Sequence, residues 1–132
     1  MADPAFRSDC PVASALELFG DKWTLVVVRD LFVGRTRFGD MLGGGEGIAT
    51  NILADRLARL ERHGLVSRHA YQAHPPRYEY RLTARGADLL PVLQAIATWG
   101  VEHIPDRWHP PAAFLAARPA DFYPASGHLT AP

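Results

Sequence analysis

The sequence predicts a mainly helical α+β domain with one small β-hairpin placed before a long last helix. Three observations carry that. Apolar residues recur at three- and four-residue spacing in several segments ahead of residue 104. One stretch, Arg77-Tyr78-Glu79-Tyr80-Arg81-Leu82, alternates strictly and follows a Pro-Pro loop, as a return strand does. Glycines stand where periodic segments stop, at Gly20, Gly34 and Gly64. The 132 residues then divide into an N-terminal arm, 1–9, a folded domain, 10–104, and a Pro-rich C-terminal arm, 105–132.

Each element has a local reason. Pro11 suits a first helical turn, so a helix opens at Cys10-Pro11 and ends at Gly20. Asp21 can cap the next helix, 22–33. Its segment KWTLVVVRDLFV is apolar around most of its girth and predicts a buried central helix, with Trp23 in the core beneath it. A short helix follows in RFGDML, then a turn in GGGEG. The next helix, about 49–63, stops at His63-Gly64. Residues 65–71 and 77–82 form the hairpin around the loop QAHPP. Thr83 caps one continuous last helix, 84–103, with Leu89, Leu93, Ile96 and Trp99 on one side. Beyond Pro105 the chain is proline-rich and reads as an extended arm. Its Trp108, Phe114, Leu115, Phe122 and Tyr123 are too apolar for a free tail and should dock on the helical body, of the same chain or across a dimer.

The composition excludes several classes. No apolar run approaches the roughly 20 residues of a membrane span, and MADPAFRSD lacks the basic start and apolar stretch of a secretory signal. A single cysteine gives no internal disulfide framework and fits a reducing, cytoplasmic setting. The six histidines show no tight metal spacing, and His69 and His74 on a hairpin are poor geometry for a shared ion, so neither metal nor cofactor is expected.

The formal charge is zero, but it is unevenly spread. Residues 1–47 carry −2, residues 48–85 carry +4, and residues 88–132 carry −2. A basic middle suggests an anion-binding surface; solvated helix faces would give the same pattern. On a helical wheel Leu53, Leu57 and Leu60 fall within about 60° of one another and define a core face. Asn51, Asp55, Ala58, Arg59 and Arg62 lie opposite, and Thr50 and Ala54 flank the N-terminal half. Arg56 lies nearer the core edge, where it can brace the scaffold.

A helix that is small and polar at its start and cationic at its end suits entry into a major groove. Asn51 can pair with adenine N6 and N7, Asp55 can accept from cytosine N4, and Thr50 can reach base edges or phosphate. Ala54 allows close approach, and Arg59 and Arg62 can neutralise phosphates. Asp55 beside DNA costs free energy unless it has a donor, and Arg59 at i,i+4 is one. In the hairpin, Arg77 and Arg81 share a face and His74 stands at the loop, placing a second basic element next to the helix.

The blocks CPVASALELFGDKWTLVVVRDLFVG, TRFGDM, GIATNILADRLARLERHGLV and PPRYEYRLTARGADLLPVL, with TWG after them, resemble the HxlR-type winged helix-turn-helix transcription regulators, relatives of the MarR group. The resemblance covers about residues 8–104. It implies a dimeric DNA-binding repressor or activator with a recognition helix at 49–62 and a wing at 71–79. It also points to dimerisation through the last helix, with Leu93, Ile96 and Trp99 as candidates. For the C-terminal arm, the alternative to docking is that it closes a ligand pocket between the DNA-binding and dimer elements. Members often carry Ser-Pro-Lys where Ala49-Thr50-Asn51 stand here, which removes a lysine from the contact set. Thr50 could then cap the helix in place of the serine.

Cys10 opens the first helix, where the helix dipole favours a thiolate and Arg7 could assist. In some members of the resembled family the matching cysteine senses oxidants or electrophiles. With no second cysteine in the chain, sensing would require a disulfide across a dimer, a low-molecular-weight thiol or alkylation; the alternative is a buried, packed thiol. The competing readings are a winged-helix protein-interaction module without DNA binding, and an enzyme using Cys10 as nucleophile. The latter lacks any recognisable His/Asp arrangement to activate it.

Overall fold

The computed structural model describes residues 6–125. The elements run α1 (Pro11–Phe19), α2 (Thr24–Phe32), α3 (Phe38–Leu42), α4 (Thr50–Arg62), β1 (Val66–Gln72), β2 (Arg77–Leu82), α5 (Ala84–Ala87), α6 (Leu90–His103), α7 (Ala112–Ala116) and a 3-10 turn (Pro119–Phe122). The order matches the sequence expectation up to β2. The core is a single cluster in which Val27, Val28 and Leu31 of α2 meet Met41 of α3, Leu53, Leu57 and Leu60 of α4, and Leu90 of α6. Each such leucine contributes about 2 kcal/mol by leaving water.

Helix α4 ends as the His63-Gly64 pair requires. Gly64 takes φ +75°, its N–H donates to Glu61 O at 3.0 Å, and the Leu65 N–H donates to Leu60 O at 2.9 Å. Those two bonds are the Schellman pattern, and they turn the chain straight into β1. The hairpin pairs antiparallel from Val66 opposite Leu82 to Gln72 opposite Arg77, with a bulge between Ala70 and Gln72. A single bridge joins Arg37 to Glu79, and the Tyr80 N–H donates to Thr36 O at 2.8 Å. The start of α3 is thereby fastened to the hairpin.

The last helix is not continuous. Thr83 caps α5 by accepting the Gly86 N–H, but α5 ends at Ala87 and α6 restarts at Leu90. Pro91 explains the break: it has no N–H to give Ala87 O, and its ring would crowd that carbonyl, whereas in the first turn of a new helix neither matters. Gly86 is also fixed by space, since a Cβ there would stand 2.0 Å from Leu65 O.

Trp23 departs from expectation as well. It is half-buried and outside the core cluster, with the Lys22 ammonium 5.1 Å above its ring. Asp21 turns the chain at this point, so Trp23 precedes the first turn of α2 at the rim of the domain. The apolar girth of α2 has a different cause: one side packs in the core, and Leu25 and Val26 on the other line a cavity shared with α6.

The C-terminal segment lies against this body in part. Phe122 meets Phe32 edge to face at 4.9 Å, the Tyr123 hydroxyl donates to Asp88 Oδ1 at 2.5 Å, and the Gln94 amide donates to Phe114 O and Ala117 O. Trp108 and Leu115 remain exposed. Residues 105–125 thus carry a short helix, α7, and a 3-10 turn of their own rather than being extended throughout. The rest of the arm, and residues 1–5, lie outside the described residues.

Candidate nucleic-acid interface

Helix α4 forms because its three leucines repeat on one side, and all three are fully buried. Burying that side fixes what faces out. Thr50, Asn51, Ala54, Asp55, Ala58 and Arg62 are exposed, and Arg59 is half-buried. Ala49, not Thr50, is the N-cap residue, and no side chain caps the helix. The expected Thr50 cap is therefore absent, because Thr50 already lies in the first turn. The first amides of α4 face outward unsatisfied by any side chain, beside the exposed Thr50 and Asn51, which is the arrangement that attracts an anion.

Two of the seven basic residues of the middle region are structural. Arg56 donates from Nε to Asp21 Oδ2 at 2.8 Å and from Nη1 to Asp55 Oδ2 at 2.5 Å. It braces α4 against the start of α2, as its place on the wheel suggests. Asp55 also stands 4.0 Å from Arg59 Nη1. Its carboxylate thus has cationic partners on its own helix, which reduces its repulsion of a phosphate backbone. Arg68 stacks on the Tyr78 ring at 4.3 Å.

At the hairpin, His74, Arg77 and Arg81 are exposed. Arg81 pairs with Glu79 at 3.2 Å, so Arg77 is the less encumbered cation on that face. Arg37 was not singled out from sequence. It is exposed, its guanidinium lies 3.8 Å over the Tyr71 ring, and its backbone forms a β-bridge with that of Glu79. Its signal was only the basic pair Arg35 and Arg37 ahead of a five-residue helix.

A second cluster that sequence reading missed lies behind α4. Asp30 is buried, and its Oδ1 accepts from Arg29 Nη2 at 2.7 Å and from Arg35 Nη1 at 3.0 Å. Arg29 also grips Glu46 with both terminal nitrogens, at 2.8 and 2.9 Å. Those hydrogen bonds hold the Glu46 carboxyl below its ordinary range. Glu46 sits in the glycine-rich loop that leads into α4, so this pair connects α2 to the approach of that helix.

Cys10 is exposed rather than packed. It is the N-cap residue of α1, and its N–H donates to Ser8 Oγ. Arg7 does not assist it: its Nε and backbone N–H are both engaged by Glu17 Oε2, at 3.3 and 3.1 Å. On α6, Leu93 is buried in the core while Ile96 and Trp99 are exposed. None of the helices described is long and apolar enough to cross a membrane.

Comparison with known proteins places this geometry. The sequence profile of the HxlR-like helix-turn-helix family matches residues 18–107. The uncharacterized HTH-type transcriptional regulator sll1512 of Synechocystis sp. is 43% identical over 101 residues, 75% of each chain. A second such regulator, Mb3122 of Mycobacterium bovis, is 42% identical over 76% of this chain and 63% of its own length. Among solved structures, PA1607 aligns at TM-score 0.71 and 36% identity, covering 96% of this chain and 95% of that one. The oxidized form of the redox regulator HypR aligns at TM-score 0.65 and 32% identity, covering 71% and 97%. These relatives are regulators, not enzymes.

Proposed function

The chain belongs to the HxlR-like helix-turn-helix family, and from that premise we propose that it is a homodimeric, sequence-specific regulator of transcription that binds duplex DNA. Helix α4 enters a major groove, with Thr50, Asn51, Ala54 and Asp55 toward base edges and Arg59 and Arg62 toward phosphates. The hairpin tip, with His74 and Arg77, reaches the neighbouring backbone. The dimer forms through α6, where Ile96 and Trp99 present apolar surface and Leu93 supports them from beneath. The protein works in the cytoplasm.

The observation that carries this reading is the start of α4. Asn51 is exposed, and its carboxamide has no partner among the described residues. It stands beside uncapped amides on a helix whose other side is locked into the core. Selection from random duplexes tests it directly. A shared motif should emerge, bound with an affinity that falls steeply with salt. A pool that enriches nothing over competitor DNA would instead support a protein-interaction module.

The exposure of Cys10 favours one addition. It leaves the thiol open to an oxidant or electrophile, and one structural neighbour is a redox regulator. An electrophile should weaken the DNA complex of the native protein and leave that of Cys10→Ser unchanged; equal responses would remove Cys10 from the reading.

A further inference from the structure

Between the hairpin and the C-terminal segment lies a second cavity, of about 790 Å3, within the range of small-molecule sites. Leu31, Phe122 and Pro124 give it apolar walls, and Thr36, Ser67, His69 and Arg81 give it polar ones. Among the described residues, no carboxylate lines it, and neither does any residue of α6. It is therefore separate from the face of α6 assigned to the dimer. The wall it takes from Phe122 and Pro124 also lies beyond residue 107, where the match to the helix-turn-helix family ends.

The polar groups converge because of the hairpin register. Ser67 stands opposite Arg81, and His69 follows two residues later on the same face. Cross-strand neighbours of this kind stand about 5 Å apart. Ser67 Oγ lies 2.8 Å from His69 Nε2. Whichever of the two donates, the pair keeps at least one O–H or ring N–H to donate elsewhere. Arg81 gives only Nε to Glu79, at 3.2 Å, so both its terminal nitrogens lack a partner among the described residues. The Thr36 hydroxyl lacks one too. The cavity thus holds a guanidinium fork and further donors that the fold itself does not use.

We propose that this cavity binds a small phosphomonoester with an apolar body. Two phosphate oxygens take the terminal nitrogens of Arg81 as a bidentate pair, and the third accepts from the Ser67–His69 pair, with the Thr36 hydroxyl beside it. A carboxylate would satisfy the fork alone and leave the other donors idle, whereas a phosphomonoester has three acceptor oxygens to meet them. The apolar body lies against Leu31 and Phe122, and its burial adds affinity. Glu79 keeps the Nε of Arg81, and its charge opposes the phosphate, which limits that affinity. Bound there, the ligand ties β1 and β2 to the C-terminal segment. Any effect on DNA rests on the function proposed above, whereas the binding itself does not.

The test uses the full chain without DNA, so its failure is separable from failure of the regulator reading. The probes are 1-naphthyl phosphate, 1-naphthol and inorganic phosphate, titrated by calorimetry. Naphthyl phosphate should bind saturably. Naphthol lacks the head and inorganic phosphate lacks the body, so each should bind at least roughly ten-fold more weakly. Arg81→Gln should weaken naphthyl phosphate binding roughly ten-fold, and Ser67→Ala several-fold. Arg85→Gln removes an exposed arginine that does not line the cavity and should leave binding nearly unchanged. Amide hydrogens of residues 67–69 should exchange more slowly with naphthyl phosphate bound. Naphthol or inorganic phosphate binding as tightly as the ester would overturn the proposal, as would the absence of saturable binding. Equal losses in Arg81→Gln and Arg85→Gln, unchanged binding by Ser67→Ala, or protection on α4 in place of the hairpin would overturn it too.

Discussion

The Arg56 Nε stands 2.8 Å from Asp21 Oδ2, joining the middle of α4 to the cap of α2 across 35 residues of chain. Asp21 does three jobs with one carboxylate. It accepts the Trp23 and Thr24 N–H groups, it accepts the Thr24 hydroxyl, and it receives Arg56. The helix that faces outward is thus held in position by a capping residue of the helix behind it.

Asp21→Ala should destabilise the protein by about 2 kcal/mol, the upper range for a lost cap, measured by urea unfolding at neutral pH. Partial burial would raise the Asp21 carboxyl, but the hydrogen bonds from Thr24, Arg56 and Trp23 outweigh it and hold the carboxyl well below its ordinary range. A depressed folded value means the unfolded chain takes up the proton first. The stabilisation is therefore complete above about pH 4 and is lost progressively as pH falls further. The variant should lose less stability than the native protein on going from pH 5 to pH 3. Equal losses would show that Asp21 is not a source of the acid sensitivity.

The Asp30 cluster predicts an asymmetry. Asp30 is buried, while Arg29 and Arg35 keep side-chain exposures of 30% and 41%. Removing Arg29 leaves the buried carboxylate with Arg35 as its remaining cationic partner; removing the carboxylate leaves cations that water can reach. Arg29→Met, which removes charge-assisted hydrogen bonds to both Asp30 and Glu46, should cost about 2 kcal/mol, and Asp30→Asn, which still accepts, about 1 kcal/mol. Chemical denaturation of the two variants side by side measures this. A larger loss for Asp30→Asn would contradict it.

Much of the scaffold was legible because local signals agreed with global ones. Pro11, Gly64 and Thr83 each mark a terminus by a mechanism that acts within a few residues, although Thr83 caps only the short α5; Asp21, expected as the cap of a helix from 22, instead stands two residues ahead of the N-cap Trp23 and holds the Trp23 and Thr24 N–H groups from there. The core face of α4 and the bracing role of Arg56 followed from a wheel, since a buried leucine row fixes everything opposite it. What failed depended on competition or distance. Pro91 could have been read as a break, but the apolar period runs through it and favoured one helix. Trp23 looked like core because the segment is apolar, although a cavity, not the core, accounts for part of that girth. The Arg29–Glu46 pair joins residues 17 apart through a glycine-rich loop, and nothing local announces such a pairing. Arg37 was invisible for the same reason: its contacts are on the hairpin, more than 30 residues on.

On α6, Trp99 is 59% exposed and Ile96 52%, an unusual outlay of apolar surface for a helix whose preceding turn supplies the core residue Leu93. If a second copy covers them, Trp99→Ala should raise the dimer dissociation constant by about 2 kcal/mol, or roughly thirty-fold, as an aromatic anchor does. It should leave the far-UV circular dichroism unchanged, since Trp99 touches only His103 among the aromatic rings described. Sedimentation velocity across a dilution series gives the answer. A variant that dimerises like the native protein would move the interface off this side of α6.

The contrast between Asn51 and Arg77 is the sharpest test of how DNA is read. Both are exposed, one in the first turn of α4 and one where the hairpin returns. Asn51 offers a donor and an acceptor in a fixed plane, which suits a base edge and discriminates among bases. Arg77 offers charge, which suits phosphate and does not discriminate. Asn51→Ala should cost about 1–3 kcal/mol on the selected duplex and far less on duplexes altered at the one contacted position, so that preference there is relaxed. Arg77→Ala should weaken all duplexes alike and flatten the plot of log affinity against log salt by about one unit. Fluorescence anisotropy on a panel of single-position duplex variants at several salt concentrations separates the two. If Arg77→Ala altered base preference, or Asn51→Ala weakened every duplex equally, the roles assigned to helix and hairpin would have to be exchanged.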